Sequence, residues 1–295
     1  MNARPSPEFA GDYTRDPGPI QGRPAAVLKR SSEESIVVSM IELIGVSKKF
    51  SVFTVVNKVS FAVRPGEVLG YLGPNGAGKT TTIRMLAGLL EPTEGEILFE
   101  GREIRRDLYA FKKRLGYVPE QSEIYPHLSA IDYLTMVGRL RRLPDRPLKA
   151  RIAGFMDIFD LRHDMDSPLS TYSKGMRQKV LIAAALLHNP DVLLLDEPLS
   201  GLDVTTGLVI RDLIKRLAAE NKIIIYSSHV LEVTEQVCSR VIILHQGNVV
   251  ANDSVANLRT LMHLPSLTEI FSQLVVHEDT AQAAERIVET MKGSD

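Results

Sequence analysis

The chain has 295 residues, of which 44% are hydrophobic and 24% charged, with a net charge of −1. That is the balance of a globular protein with ample core, in one large domain or two modest ones, and it gives no electrostatic footprint for a nucleic-acid partner. The single cysteine, Cys238, excludes an intramolecular disulfide and fits a reducing compartment. No apolar run reaches spanning length: Ile36–Val46 is too short and carries Glu42. The N-terminus lacks the basic-then-apolar order of a secretory signal. The chain is therefore expected in the cytoplasm, or at a membrane only through a partner.

Taken in order, residues 1–39 are read as a disordered tail. They hold Pro5, Pro7, Pro17, Pro19 and Pro24 among scattered Gly, Ser and charge, and such a stretch cannot bury enough apolar surface to offset its ordering entropy. The other reading is a peptide that folds on a partner. From Met40 the texture changes to short apolar strands, predicted at Ile41–Val46, Thr54–Val63, Val68–Leu72, Gly95–Phe99 and Leu115–Val118. A helix is expected over Thr81–Leu90. Arg102, Arg105, Arg106, Lys112, Lys113 and Arg114 crowd one segment, either as a local basic patch or as a solvated helix face. Pro144 and Pro147 interrupt a largely helical stretch, Ala130–Phe159. Further on, Val192–Leu195, Ile223–Tyr226 and Val241–Leu244 are continuous apolar runs, as strands covered on both faces require. They alternate with amphipathic helices at Leu208–Ala219 and Val230–Val237, which predicts an α/β fold with a mainly parallel sheet. Residues 263–295 are read as a C-terminal extension of two short helices after Pro265, with Ala281–Met291 the clearer.

Two constellations carry chemistry. Gly73-Pro74-Asn75-Gly76-Ala77-Gly78-Lys79-Thr80-Thr81 is a complete phosphate-binding loop between a predicted strand and a predicted helix. Its backbone N–H groups can cradle phosphate oxygens, Lys79 adds charge for the β- and γ-phosphates, and Thr80 offers a hydroxyl to Mg²⁺. The second is Asp196-Glu197, which closes the apolar run Val192–Leu195. Carboxylates at the end of a parallel strand face the ligand crevice. There Asp196 can hold Mg²⁺ through water and Glu197 can polarise an attacking water. Alone, such a pair is often only a turn; a phosphate loop upstream favours the functional reading.

Between and after them come Tyr172-Ser173-Lys174-Gly175-Met176-Arg177-Gln178, then Ser200-Gly201-Leu202-Asp203, then His229. In this order the motifs resemble the nucleotide-binding subunits of ATP-binding cassette transporters, over about residues 40–262. The wording Tyr-Ser-Lys-Gly-Met and Gly116-Tyr117-Val118-Pro119-Glu120 is similar to the export-type branch, whose ATPase is a separate polypeptide. The resemblance implies a P-loop ATPase core, an antiparallel β subdomain on the N-terminal side, and an α-helical subdomain, about 121–185, carrying the signature. It implies that Phe50 stacks on adenine, with Phe53 as the alternative. It further implies that Ser173 and Gly175 cap the γ-phosphate across a head-to-tail dimer, that Asp203 links the two sites, and that His229 contacts the γ-phosphate. Glu120 stands where the family most often has Gln, with Gln121 next, and either can reach the metal water. Lys174 and Met176 replace the usual Gly and Gln of the signature.

The expected activity is ATP hydrolysis with Mg²⁺, powering a separate membrane-spanning subunit, in all expectation an exporter, from the inner face of the cell membrane. A second ATPase subunit, the same chain or a close paralogue, is the implied dimer partner, and no nucleic acid is expected. Rival readings are a soluble cassette ATPase of DNA repair, chromosome structure or translation, and a nucleotide sensor without turnover. The interval from Lys79 to Asp196 holds no heptad run and no cysteine, each motif occurs once, and Glu197 is retained, which argues against all of them.

Overall fold

The computed structural model describes residues 40–121, 124–275 and 286–291. The predicted tail at 1–39 lies outside the described residues, as does most of 276–295. The chain runs through β1 (Ile41–Phe50), β2 (Phe53–Val63), β3 (Val68–Leu72), α1 (Lys79–Leu86), β4 (Glu94–Phe99), β5 (Arg102–Glu103), α2 (Leu108–Lys113) and β6 (Leu115–Val118). It continues through α3 (Ala130–Leu140), α4 (Asp145–Ile158), α5 (Lys174–Leu186), β7 (Val192–Asp196), α6 (Val204–Ala219), β8 (Ile223–Ser227) and α7 (Leu231–Val237). Then follow β9 (Arg240–His245), β10 (Asn248–Ser254), α8 (Val255–Met262) and α9 (Leu267–Val275).

The strands form two sheets. One is antiparallel, ordered β2-β1-β4-β5, and the other is ordered β10-β9-β3-β8-β7-β6. In the second, every pairing is parallel except that of β10 with β9. The continuous apolar runs have a direct cause. Side chains alternate across a strand, and each face of this sheet meets its own core. Val68, Leu72, Leu193, Leu195, Ile224 and Tyr226 pack into one apolar cluster with α3, α4 and α5. Their alternating neighbours Leu69, Tyr71, Leu194 and Ile225 pack into the other, beneath the antiparallel sheet and α1. Neither face can therefore be polar, and the predicted mainly parallel α/β sheet, with an antiparallel sheet on the N-terminal side, is what the molecule has.

Differences from the sequence reading are local. The helix expected over Thr81–Leu90 ends at Leu86, because Gly88 takes a left-handed φ of 62° and Leu89 N–H turns back to Arg84 O at 2.9 Å. The stretch Ala130–Phe159 is two helices parted at Arg141–Pro144; Pro147 does not interrupt it but lies in the first turn of α4, where its missing N–H costs no helix bond. Strand β10 was not foreseen, since Asn248–Ser254 is a mostly polar edge strand. At the C-terminus α9 is the buried helix, with Leu267 and Ile270 fully enclosed. Of Ala281–Met291 only 286–291 is described, helical and exposed. No helix among the described residues is long and apolar enough to cross a membrane.

Candidate active site

Four strands of the parallel sheet, β3, β8, β7 and β6, lie side by side in that order, so the segments leaving their carboxyl ends share one edge, where ligands bind in open α/β sheets. After β3 comes the Gly73–Thr80 loop, after β7 Glu197, after β8 Ser228 and His229, and after β6 Glu120. Together they enclose a cavity of about 320 Å³ lined by Asn75, Gly76, Gly78, Lys79, Thr80, Thr81, Glu120, Asp196, Glu197 and His229, with Val55 of β2.

The loop is anchored from behind. Tyr71, buried in β3, donates its hydroxyl to Thr82 Oγ1 at 3.2 Å, and that hydroxyl donates to Gly78 O at 3.0 Å. Gly78 itself has φ 103°, and a Cβ there would come within 2.6 Å of Val55 O. Both the left-handed backbone and the contact with β2 require glycine. Gly78 is also the N-cap of α1 and offers no side-chain acceptor to the first turn, leaving those N–H groups for an anion. Lys79 Nζ donates to Gly73 O at 2.6 Å and to Pro74 O at 3.1 Å, so the ammonium lies across the loop. Burial lowers the Lys79 pKa, against which Glu197, Asp196 and Glu120 act in the other direction.

The opposite wall is acidic. Asp196 is 1% exposed, its Oδ2 has no hydrogen-bond partner, and its pKa is pushed up to about 6 by burial, with Glu120 and Glu197 adding to the effect. Thr80 Oγ1 lies 3.4 Å from Glu120 Oε2. Glu197 adopts φ 50°, an uncommon conformation for a side chain of its size, held by its N–H bond to Ser227 O at 3.0 Å. The turn brings Glu197 Oε2 to 2.8 Å from His229 Nδ1 and 3.4 Å from Ser228 Oγ. His229 lies two residues beyond the end of β8 and is largely exposed.

An orphaned buried carboxylate oxygen beside a threonine hydroxyl fits a hard divalent cation. Among the described residues no group of three or more His, Cys, Asp or Glu side chains could hold a metal by itself. A cation here would take most of its oxygens from water and phosphate, which is the habit of Mg²⁺.

Other residues named from the sequence lie elsewhere. Gln121 is not among the lining residues; Glu120 is. Phe50 and Phe53 face each other across the β1–β2 turn, 46% and 73% exposed, and neither lines the cavity. Ser173 is the N-cap of α5, its Oγ accepting from Met176 N–H at 3.2 Å. It and Gly175 sit outside the cavity that holds Lys79. Asp203 caps α6, accepting from Thr206 N–H at 2.8 Å. That hydrogen bond, with those from Thr206 Oγ1 and Lys179, holds its carboxyl well below the usual range. Two contributors escaped sequence reading. Val55 reaches the cavity only because the two sheets pack together. Ser228 had a signal, its place directly before His229.

The sequence model of the ABC transporter family matches residues 56–200. The chain is 38% identical over 242 residues to the ABC transporter ATP-binding protein NatA of Bacillus subtilis (strain 168), a match covering 80% of this chain and 98% of that protein. It is 34% identical over 216 residues to the Nod factor export ATP-binding protein I of Ralstonia nicotianae, covering 73% and 67%. A solved structure described as an ATP binding subunit of an ABC transporter superposes with a TM-score of 0.76 at 30% identity, over 80% of this chain and 99% of that one. Motif order, sheet topology and these likenesses agree: the chain belongs to the ATP-binding subunits of ABC transporters, a family of ATPases.

Proposed function

We propose that the chain hydrolyses ATP with Mg²⁺ to drive a separate membrane-spanning subunit of an exporter, from the cytoplasmic face of the membrane, by closing a head-to-tail dimer. The observation that carries the catalytic part is the convergence of Lys79, Thr80, Asp196, Glu197 and His229 on one cavity. In this reading the loop N–H groups and Lys79 bind the phosphates, and Lys79 trades its bonds to Gly73 O and Pro74 O for phosphate oxygens. Thr80 and Asp196 would hold Mg²⁺, with Glu120 reaching its water. When bound, that ion neutralises charge building on the transferring phosphoryl group. Glu197 orients the attacking water and accepts its proton. His229, beside Glu197 Oε2, keeps that carboxylate aimed and faces the γ-phosphate. The exposed Ser173 and the half-buried Gly175 at the start of α5 would complete the site of the second subunit, with Asp203 linking the two, and Phe50 or Phe53 would stack on adenine. Export and the membrane partner rest on the export relative and on family membership.

The test is a pair of substitutions. Lys79→Ala removes a charge present before reaction begins and should weaken ATP binding by about tenfold to a hundredfold, the worth of a charge-assisted hydrogen bond. Glu197→Gln keeps volume and hydrogen bonding but cannot accept a proton, so ATP binding should persist while turnover stops. Hydrolysis at the wild-type rate by Glu197→Gln would remove Glu197 from the mechanism.

A further inference from the structure

The cavity that receives phosphates in the reading above holds more negative charge than positive. Among the described residues, its lining carries the carboxylates of Glu120, Asp196 and Glu197 against the ammonium of Lys79. That ammonium is engaged by the loop itself, donating to Gly73 O and Pro74 O. Glu197 has a partner in His229, whose Nδ1 lies 2.8 Å from Oε2. Neither Glu120 nor Asp196 forms an ion pair among the described residues. Asp196 is 1% exposed and its Oδ2 meets no hydrogen-bond donor, so a desolvated acceptor lines the cavity. Glu120 Oε2, 3.4 Å from Thr80 Oγ1, ties the end of β6 to the phosphate loop.

A nucleoside triphosphate is a polyanion. The loop N–H groups attract it, but two carboxylates without a cation oppose its entry. A hard divalent cation reverses that balance. The buried Asp196 oxygen and the Thr80 hydroxyl are ligands of the kind it takes, and Glu120 adds its charge through a water. Glutamine at this position would keep the shape and hydrogen-bonding reach of Glu120 without the charge, leaving two carboxylates against one ammonium. Glu120 is exposed, so salt screens its field, and its replacement disturbs no packing.

We propose that Glu120 makes cation binding precede nucleotide binding, so that the cavity takes a divalent cation on its own and admits ATP readily only with it. This order rests on the cavity being a site for ATP and Mg²⁺, and binding measured with both in excess tests that separately. With the purified full chain stripped of metal and no nucleotide present, Mn²⁺ binding is read from the loss of the free-ion electron paramagnetic resonance signal. The wild type should bind Mn²⁺ at below about 1 mM, and Mg²⁺ should displace it. ATP binding, read by equilibrium dialysis at low ionic strength, should be weaker by about tenfold or more in chelator than with excess Mg²⁺. Glu120→Gln should move the two affinities in opposite directions. Mn²⁺ binding should weaken by about tenfold, ATP binding in chelator should tighten by about threefold or more, and the thermal midpoint should stay where it is. If that variant does not fold, Glu120→Ala should show the same two signs. Gln121→Ala, next in the chain but outside the lining, should match the wild type in both. A wild type that binds no Mn²⁺ without nucleotide overturns the proposal, as does an Mn²⁺ affinity untouched by Glu120→Gln. So does a parallel loss of both affinities, which marks damage to the site rather than a change of charge. Failure to bind ATP even with excess Mg²⁺ would remove the ATPase reading of the cavity, and the proposal with it.

Discussion

His188 shows how one side chain can record the electrostatics around it. Its Nε2 lies 3.0 Å from Leu115 O, and a carbonyl only accepts, so Nε2 carries the hydrogen. Nδ1 is buried with no hydrogen-bond partner. Charging the ring would therefore bury a cation, and would do so beside Arg141 and Arg151; burial first and Arg141 next bring the pKa from 6.5 down to about 4. A base whose folded pKa lies below its unfolded value stabilises the fold above the unfolded pKa, and the contribution is lost as pH falls through the folded one. The window here runs from pH 6.5 down to about pH 4. His188→Gln retains a donor for Leu115 O and cannot titrate. Urea midpoints measured across that window should fall less steeply for the variant than for the wild type. Parallel curves would mean that His188 adds nothing to the acid sensitivity.

Among the elements, α5 and the turn after β7 are joined near the site by three side-chain bonds. Lys174 Nζ donates to Ser200 Oγ at 2.7 Å, Gln178 Nε2 to Pro198 O at 3.1 Å, and Lys179 pairs with Asp203 at 3.2 Å. Lys174, which departs from the usual signature, is thus one strand of a clasp between the signature helix and the turn that carries Glu197. A methyl group on Gly175 would collide with the backbone carbonyl of Gly201, which cannot swing aside as a flexible side chain could. Gly154, inside α4, would receive the same methyl in open space. Gly175→Ala should therefore cost about 1–3 kcal/mol, as overpacking does, whereas Gly154→Ala should stabilise by about 0.5–1 kcal/mol through helix propensity. Thermal midpoints moving in opposite directions would bear this out, and a shared direction would contradict it. The same contrast marks what sequence can tell. Both glycines look alike in the chain, as do Leu86 and Leu89 on either side of the helix end at Gly88. The buried strands were legible because two covered faces leave no polar position. The phosphate loop and Asp196-Glu197 were legible because their chemistry is local. The clasp and the contribution of Val55 arise only when distant segments meet.

At the scale of the whole molecule, the question is why Ser173 and Gly175 stand outside the cavity that gathers Lys79, Asp196 and Glu197. The N-terminus of α5, exposed and capped by Ser173, has the N–H groups and hydroxyl of an anion site but, among the described residues, stands apart from the phosphate loop and Lys79. If a second subunit supplies that partner, each complete site uses Lys79 of one chain and Ser173 of the other. Ser173→Arg should then obstruct the facing site by bulk while leaving Lys79 of its own chain intact. Lys79→Ala does the converse. A dimer made only of either variant has two damaged sites. A mixed dimer pairs the intact Lys79 of the first with the intact Ser173 of the second and so has one whole site. Mixing the two purified variants should restore vanadate-trapped nucleotide at one site per mixed dimer, although neither traps it alone. Trapping is a better measure than turnover, since turnover can require both sites to close together. Should every mixture trap no more than the separate variants, while the wild type traps readily, Ser173 does not act across a dimer and the site must be completed within one chain.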